Sequence, residues 1–163
     1  MALGPFVCAG CGFNYFFNAA IATATFIRRE DGRVIFVRRA KEPAKGKLAP
    51  PGGFVDIGER AEEALRREIR EEVGLEVNAP EFLCSFPNSY PYLGVTYPVL
   101  DFFFAANAID SAVARPLDEA ESICWLDPVR EVQLDDLAFP SVRAAWQVWR
   151  QRFAPDDPTH ETT

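Results

Sequence analysis

The sequence predicts a single α/β domain. Three features point there: two β-branched and aromatic runs joined by a tight turn near the N-terminus, a segment of good helix formers in the middle, and an amphipathic helical pattern near the C-terminus. With 163 residues the chain can bury one substantial core, and no linker or internal repeat divides it. Hydrophobic residues make up 48% and charged residues 25%, a globular rather than a disordered composition.

Residues 1–27 carry no charged side chain. They lack a basic leader and an unbroken apolar span of about 20 residues, because Asn14, Asn18, Thr23 and Thr25 interrupt them. They read as a Cys/Gly turn followed by buried strands, so the expectation is a cytoplasmic protein without a membrane partner. "AAIATATFIR" (19–28) reads as a strand, "EDGR" (30–33) as an Asp-Gly turn and "VIFVRR" (34–39) as a second strand, together a hairpin. Residues 40–52, "AKEPAKGKLAPPG", read as a loop. Residues 59–73 read as a helix that Gly74 stops. Short apolar runs follow at 75–77 and 82–86, and residues 87–98, rich in proline and tyrosine, read as a loop. "VLDFFFAA" (99–106) is a buried strand candidate and "SICWL" (122–126) the last strand. In "FPSVRAAWQVWRQRF" (139–153), Pro140 suits a first helical turn. Val142, Ala145, Trp146, Trp149 and Phe153 share one face that would pack on the sheet. Residues 154–163 read as a flexible tail.

The helix at 59–73 carries an electrostatic problem. At 100° per residue, with Glu68 at the origin, Glu71 falls at about −60° and Glu72 at about +40°. The apolar stripe of Ala61, Ala64, Leu65, Ile69 and Val73 overlaps this arc, while Glu63, Arg66 and Arg70 lie opposite. A solvated helix laced with Glu62–Arg66 and Glu63–Arg67 pairs is the bland reading. Carboxylates at the edge of a buried stripe, however, are desolvated and repel one another, and without compensation they tend to hold protons. A hard divalent cation removes the conflict. Mg²⁺ prefers carboxylate oxygens and leaves positions for water and phosphate. The net charge of −7 argues against broad nucleic-acid binding but not against a phosphate ligand, since a bound cation or basic patch reverses the local field.

From Gly53 the chain reads "GFVDIGERAEEALRREIREEVGL". This resembles the Nudix box, G-x5-E-x7-R-E-U-x-E-E-x-G-U, with no position departing from it. Weaker similarity extends over "RRAKEP" before the box and "SFPNSYPY" and "LDFFF" after it. The resemblance implies an α/β/α sandwich around a mixed β-sheet, with the Nudix domain over 19–153. It implies a hydrolase that cuts a diphosphate linkage in a nucleoside-diphosphate derivative such as ADP-ribose, NADH or a nucleotide sugar, using Mg²⁺ or Mn²⁺. By the same resemblance Glu68, Glu71 and Glu72 are metal ligands and Glu59 an outer or additional one. Arg67 orients Glu68, and the Gly53 carbonyl reaches the metal. The general base is either a box glutamate, Glu71 or Glu72, or a residue of "LDEAESICWL", where Glu119 and Glu121 stand. Arg39 and Lys47, from the basic run before the box, are candidates for phosphate, and Tyr90 for stacking on a base. The alternative is a Nudix-fold module that binds such a ligand without cutting it, which loss of box glutamates would favour; none is lost.

Cys8 and Cys11 form a C-x-x-C within "FVCAGCGFNYFFN" (6–18), while Cys84 and Cys124 stand alone. Scattered thiols fit a reducing compartment. Segment 1–18 resembles the second knuckle of the zinc ribbon that precedes some Nudix domains, with the first knuckle missing. Structural zinc takes four protein ligands. The readings are therefore a vestigial knuckle, a zinc shared across a homodimer, or a redox pair.

Overall fold

A computed structural model describes residues 4–153 apart from Ala79 and Glu119. The expected tail at 154–163, His160 and the candidate base Glu119 lie outside the described residues. Among the described residues no helix is long and apolar enough to cross a membrane.

A small antiparallel pair, β1 (Phe6–Val7) and β2 (Asn14–Tyr15), precedes the main sheet. Its strands are exposed. The main sheet is mixed and has seven strands: β3 (Ala20–Arg28), β4 (Val34–Arg39), β5 (Leu48–Ala49), β6 (Gly52–Phe54), β7 (Glu81–Tyr92), β8 (Val95–Asn107) and β9 (Ala120–Leu126). Along β5-β4-β3-β8-β7 the neighbours are hydrogen-bonded, with β6 added to β3 and β9 to β4. β3 and β8 run parallel over their shared length, Ala20 opposite Val99 through Arg28 opposite Asn107. The expected hairpin is present, but β3 and β4 are in register only at Arg28–Val34. The front half of β3 pairs with β6 instead.

Two helices cover the two faces, giving an α/β/α arrangement. Helix α1 (Ala61–Val73) buries Ala64, Leu65, Ile69 and Val73 against Ile27, Ile35, Val37 and Phe104. Its N-terminus is closed by the Glu63 carboxylate, which accepts the Arg60 N–H at 3.0 Å. Its C-terminus is closed by Gly74 at φ 68°, whose N–H donates to the Arg70 carbonyl. Helix α2 (Pro140–Phe153) buries Val142, Ala145, Trp146 and Trp149 against Phe26, Phe36 and Phe103. The two tryptophans stack at 4.9 Å between ring centroids, and Phe26 meets both. They serve the core, as the sequence suggested.

Residues 87–98 differ from the expected loop. They are the outer halves of β7 and β8, paired from Pro87–Leu100 to Tyr92–Val95. The prolines fit because β7 is an edge strand, and Pro98 lies just beyond Val99, where the pairing with β3 begins. Missing N–H groups therefore cost no ladder bond on those outer sides.

Trp146 is fully buried at the centre of the α2 face. Replacing it with alanine is expected to destabilise the fold by about 3–5 kcal/mol. The denaturant midpoint should fall while the slope of the transition is unchanged.

Candidate active site

The loop before α1 and the helix itself meet β3 through an unusually close backbone approach. A Cβ on Gly52 would lie 2.0 Å from the Thr23 carbonyl oxygen, so no side chain fits there. A Cβ on Gly53 would meet the Glu68 carboxylate at 2.6 Å, so that carboxylate lies directly on the glycine backbone. The Gly52 N–H donates to Glu72 Oε2 at 2.9 Å. Loop and helix are thus joined through the two glutamates that the sequence placed at the edge of the buried stripe.

Arg67 gathers the remaining carboxylates. It donates to both Glu59 oxygens at 3.0 and 2.9 Å, to Glu68 at 2.6 Å, to Glu71 at 3.2 Å and to the Phe54 carbonyl at 3.0 Å. The expected Glu63–Arg67 pair gives way to this cluster: Glu63 pairs with Arg60, and Arg66 donates to the Val77 carbonyl. Burial pushes the Glu68 carboxyl above its usual range, and Arg67 only partly opposes the shift. Hydrogen bonding to Arg67 holds Glu59 below that range, and the same bond raises the guanidinium further.

Gly53, Arg67, Glu68, Glu71 and Glu72 line one open cleft of about 350 Å³, together with Arg39 and Tyr90. That volume suits a small-molecule ligand. Arg39 donates to the Pro43 carbonyl at 2.8 Å and to the Tyr90 hydroxyl at 3.4 Å, and its guanidinium lies 5.1 Å from the centre of the Phe139 ring. Tyr90 stands edge-on to Phe54. Three other expected residues do not line the cleft. Glu59 accepts from Arg67 outside the lining. Lys47 is also not part of the lining, and its ammonium donates to the Asp135 carbonyl at 2.8 Å. Glu121 lies exposed on β9 and does not line the cleft; Asp118, from the turn before that strand, does.

The donor set fits a hard divalent cation: three carboxylates and, at Gly53, a backbone carbonyl in one cleft, with Glu68 seated against the glycine. Among the described residues no three acidic, histidine or cysteine side chains converge as a finished cage. The glutamates are instead drawn toward Arg67 and the Gly52 N–H. At the other end of the chain the C-x-x-C forms a tight turn, with the Cys8 N–H on the Phe13 carbonyl and the Gly12 N–H on the Cys8 carbonyl. Backbone N–H groups of Gly10 and Cys11 lower the Cys8 thiol, while burial raises Cys84 to about 11 and Cys124 as well. No third metal-ligating side chain joins Cys8 and Cys11 among the described residues.

The sequence did not single out Thr23, Asn88, Asp101 or Phe139, which also line the cleft. One signal was available: Asp101 is the lone charge in the apolar run "VLDFFFAA".

Comparison with known proteins agrees with this geometry. The sequence model of the NUDIX domain matches residues 19–148. An ADP-ribose pyrophosphatase from Methanocaldococcus jannaschii is 41% identical over 39% of this chain and 37% of its own length. An NAD-capped RNA hydrolase, NudC, from Chromobacterium violaceum is 31% identical over 74% of this chain and 42% of its own. The chain thus spans about two fifths of the length of these curated relatives. A NUDIX hydrolase crystal structure from Nitrosomonas europaea superposes with a TM-score of 0.72, covering 90% of this chain and 78% of that one. At 20% identity that likeness speaks for the fold. The match over most of the chain, the α/β/α arrangement and the intact box lead to one conclusion: the chain belongs to the NUDIX domain family.

Proposed function

We propose that this protein hydrolyses a diphosphate linkage in a nucleoside-diphosphate derivative, with Mg²⁺ or Mn²⁺ held at the box. The observation that carries the reading is that Glu68, Glu71, Glu72 and Gly53 line one cleft that also holds a fixed guanidinium and an aromatic wall. The relatives named for ADP-ribose and NAD-capped RNA support a diphosphate flanked by nucleoside groups as the substrate class.

Each residue has a part to play. Glu68, Glu71, Glu72 and the Gly53 carbonyl would hold the cation. When bound, it supplies charge neutralisation on the diphosphate and acidifies a water. Arg67 keeps Glu68 and Glu59 in place through its fork of donors. Arg39, fixed by Pro43 and Tyr90, offers positive charge to a phosphate. Water adds to one phosphorus and the bridging P–O bond breaks. The proton of the water passes to a carboxylate of α1, Glu71 or Glu72.

Three outcomes test the reading. Glu72→Gln is expected to lower turnover of ADP-ribose with Mg²⁺ by roughly 10²–10⁴-fold while the protein still folds. Turnover equal to the native protein would remove the assigned role. Gly53→Ala would drive its methyl into the Glu68 carboxylate, a flexible group that can move. The fold should persist, with a midpoint close to native, while metal affinity measured by calorimetry drops about tenfold or more. The third outcome concerns pH. Because the folded carboxyl of Glu68 is raised, its contribution to stability is present below the unfolded value of about 4.3 and is lost as pH rises through the folded value. In chelator, the stability of Glu68→Gln relative to native should therefore increase from about pH 4 toward neutrality. Added Mg²⁺ should reverse that trend, because metal binding requires the ionised carboxylate. Denaturant unfolding at several pH values, with and without Mg²⁺, checks the sign.

A further inference from the structure

The floor of the cleft holds a second arrangement that the metal chemistry does not use. Asp101, on β8, is 8% exposed, and its Oδ2 accepts the Ser141 hydroxyl at 2.6 Å. The Asn88 amide stands beside the same carboxylate and, with Ser141, partly opposes the burial that pushes Asp101 above its usual range. The Asn88 oxygen is occupied by the Ser89 N–H at 2.8 Å, which fixes the amide so that its nitrogen faces Asp101. Both side-chain donors are neutral. No arginine or lysine pairs with Asp101 among the described contacts, although buried charges are ordinarily paired. The N-terminal turn of α2, which carries Ser141, eases the charge only in part.

An ionised carboxylate has about four acceptor positions. Two are filled from within the protein, and the group lines the cleft. The aromatic rings of Tyr90, Phe103 and Phe139 line the same space. The buried hydroxyl of Thr23, also in the lining, has no hydrogen-bond partner among the described residues. The sheet register gives the position of this floor. Gly53 is opposite Thr23 on β3, and Asp101 is opposite the adjacent Ala22 across the next pairing. Two strand spacings separate the box from Asp101, roughly 10 Å. A group attached to a diphosphate held at the box reaches that far through one sugar or nucleoside unit.

We propose that Asp101, oriented by Asn88 and Ser141, determines which substrate the cleft takes by accepting hydrogen bonds from a donor on the nucleoside side of the diphosphate, an amino N–H or a sugar hydroxyl. The inference rests on the diphosphate reading of the same cleft. A purely structural Asp101, present only to fasten α2, would discriminate nothing among ligands.

The test is calorimetric binding in chelator, where hydrolysis does not proceed, followed by kcat/KM with Mg²⁺. The probes are ADP-ribose, its hypoxanthine counterpart lacking the amino group, and its counterpart with a 2′-deoxy terminal ribose. The native protein should bind ADP-ribose at least about tenfold tighter than one of the two analogues, and which one it rejects identifies the donor as amino or hydroxyl. Asp101→Asn keeps an oxygen for Ser141 and should bind all three within about threefold. Asn88→Ser, which frees the carboxylate to turn, should shrink the native ratio in the same direction. Equal affinities in the native protein, no binding of any probe, or a native ratio retained in Asp101→Asn would overturn the assignment. Donor-dependent binding without turnover would leave Asp101 in this role and sink the hydrolase reading. Turnover with donor-independent affinity would do the reverse.

Discussion

Arg67 commits all five of its N–H donors to the loop–helix unit: two to Glu59, one each to Glu68 and Glu71, and one to the Phe54 carbonyl. That fork makes a dense cluster of carboxylates compatible with a folded helix. Glu68 is the most constrained of them. Its side chain is 15% exposed, it lies on the Gly53 backbone, and burial disfavours its charge. Without the guanidinium beside it, proton uptake would be the cheapest way to relieve the burial. Arg67 therefore does more than orient one ligand. Its hydrogen bond to Glu68 opposes part of the burial that pushes that carboxyl up.

This clamp works only because the loop can approach the sheet. The Gly52 backbone sits where any Cβ would overlap the Thr23 carbonyl, and its N–H ties Glu72 to the same strand. β3 is consequently divided between partners, with β6 on its front half and β4 at its end. That division opens the sheet where the cleft forms. The parallel pairing of β3 with β8 then sets Asp101 in register with the residues beside the box. Placement of the box end and of the cleft floor thus comes from one strand.

Most of the acidic edge was legible in the sequence because it is local. Helical periodicity alone puts Glu68, Glu71 and Glu72 beside the buried stripe, and the box spacing adds the glycine and Arg67. The two helices and the central strands were legible for the same reason, since their signals are local: apolar periodicity in the helices and β-branched and aromatic runs in the strands. Residues 87–98 were not, because three prolines ordinarily end a strand. Only the order of strands in the sheet reveals that their missing donors face outward at an edge. Glu121 and Lys47 were candidates by proximity in sequence to a strand end and to the box. Their placement depends on the register shift that skips Glu121 between the Arg38–Ser122 and Arg39–Ala120 pairs and on a hydrogen bond to Asp135, neither of which has a local signature. Asp101 was visible as a charge in an apolar strand. Its meaning required the long-range contacts with Asn88 and Ser141.

The two ends of the cleft resolve the same physical difficulty in different ways. At the box, buried carboxylates are compensated by a cation, Arg67, whose bond to the half-exposed Glu71 is among the longer ones at 3.2 Å. On the proposed reading, compensation there would be exchangeable, since one positive charge can yield to another. At the floor, Asp101 is compensated by neutral donors fixed from two directions, one on β7 and one on α2. Among the described contacts no counter-ion faces Asp101, so on the proposed reading a ligand would contribute there by adding a donor of its own. On the proposed reading, charge at the box would govern whether a diphosphate enters, and hydrogen-bond complementarity to Asp101 would govern which one stays, about 10 Å away and without a shared side chain.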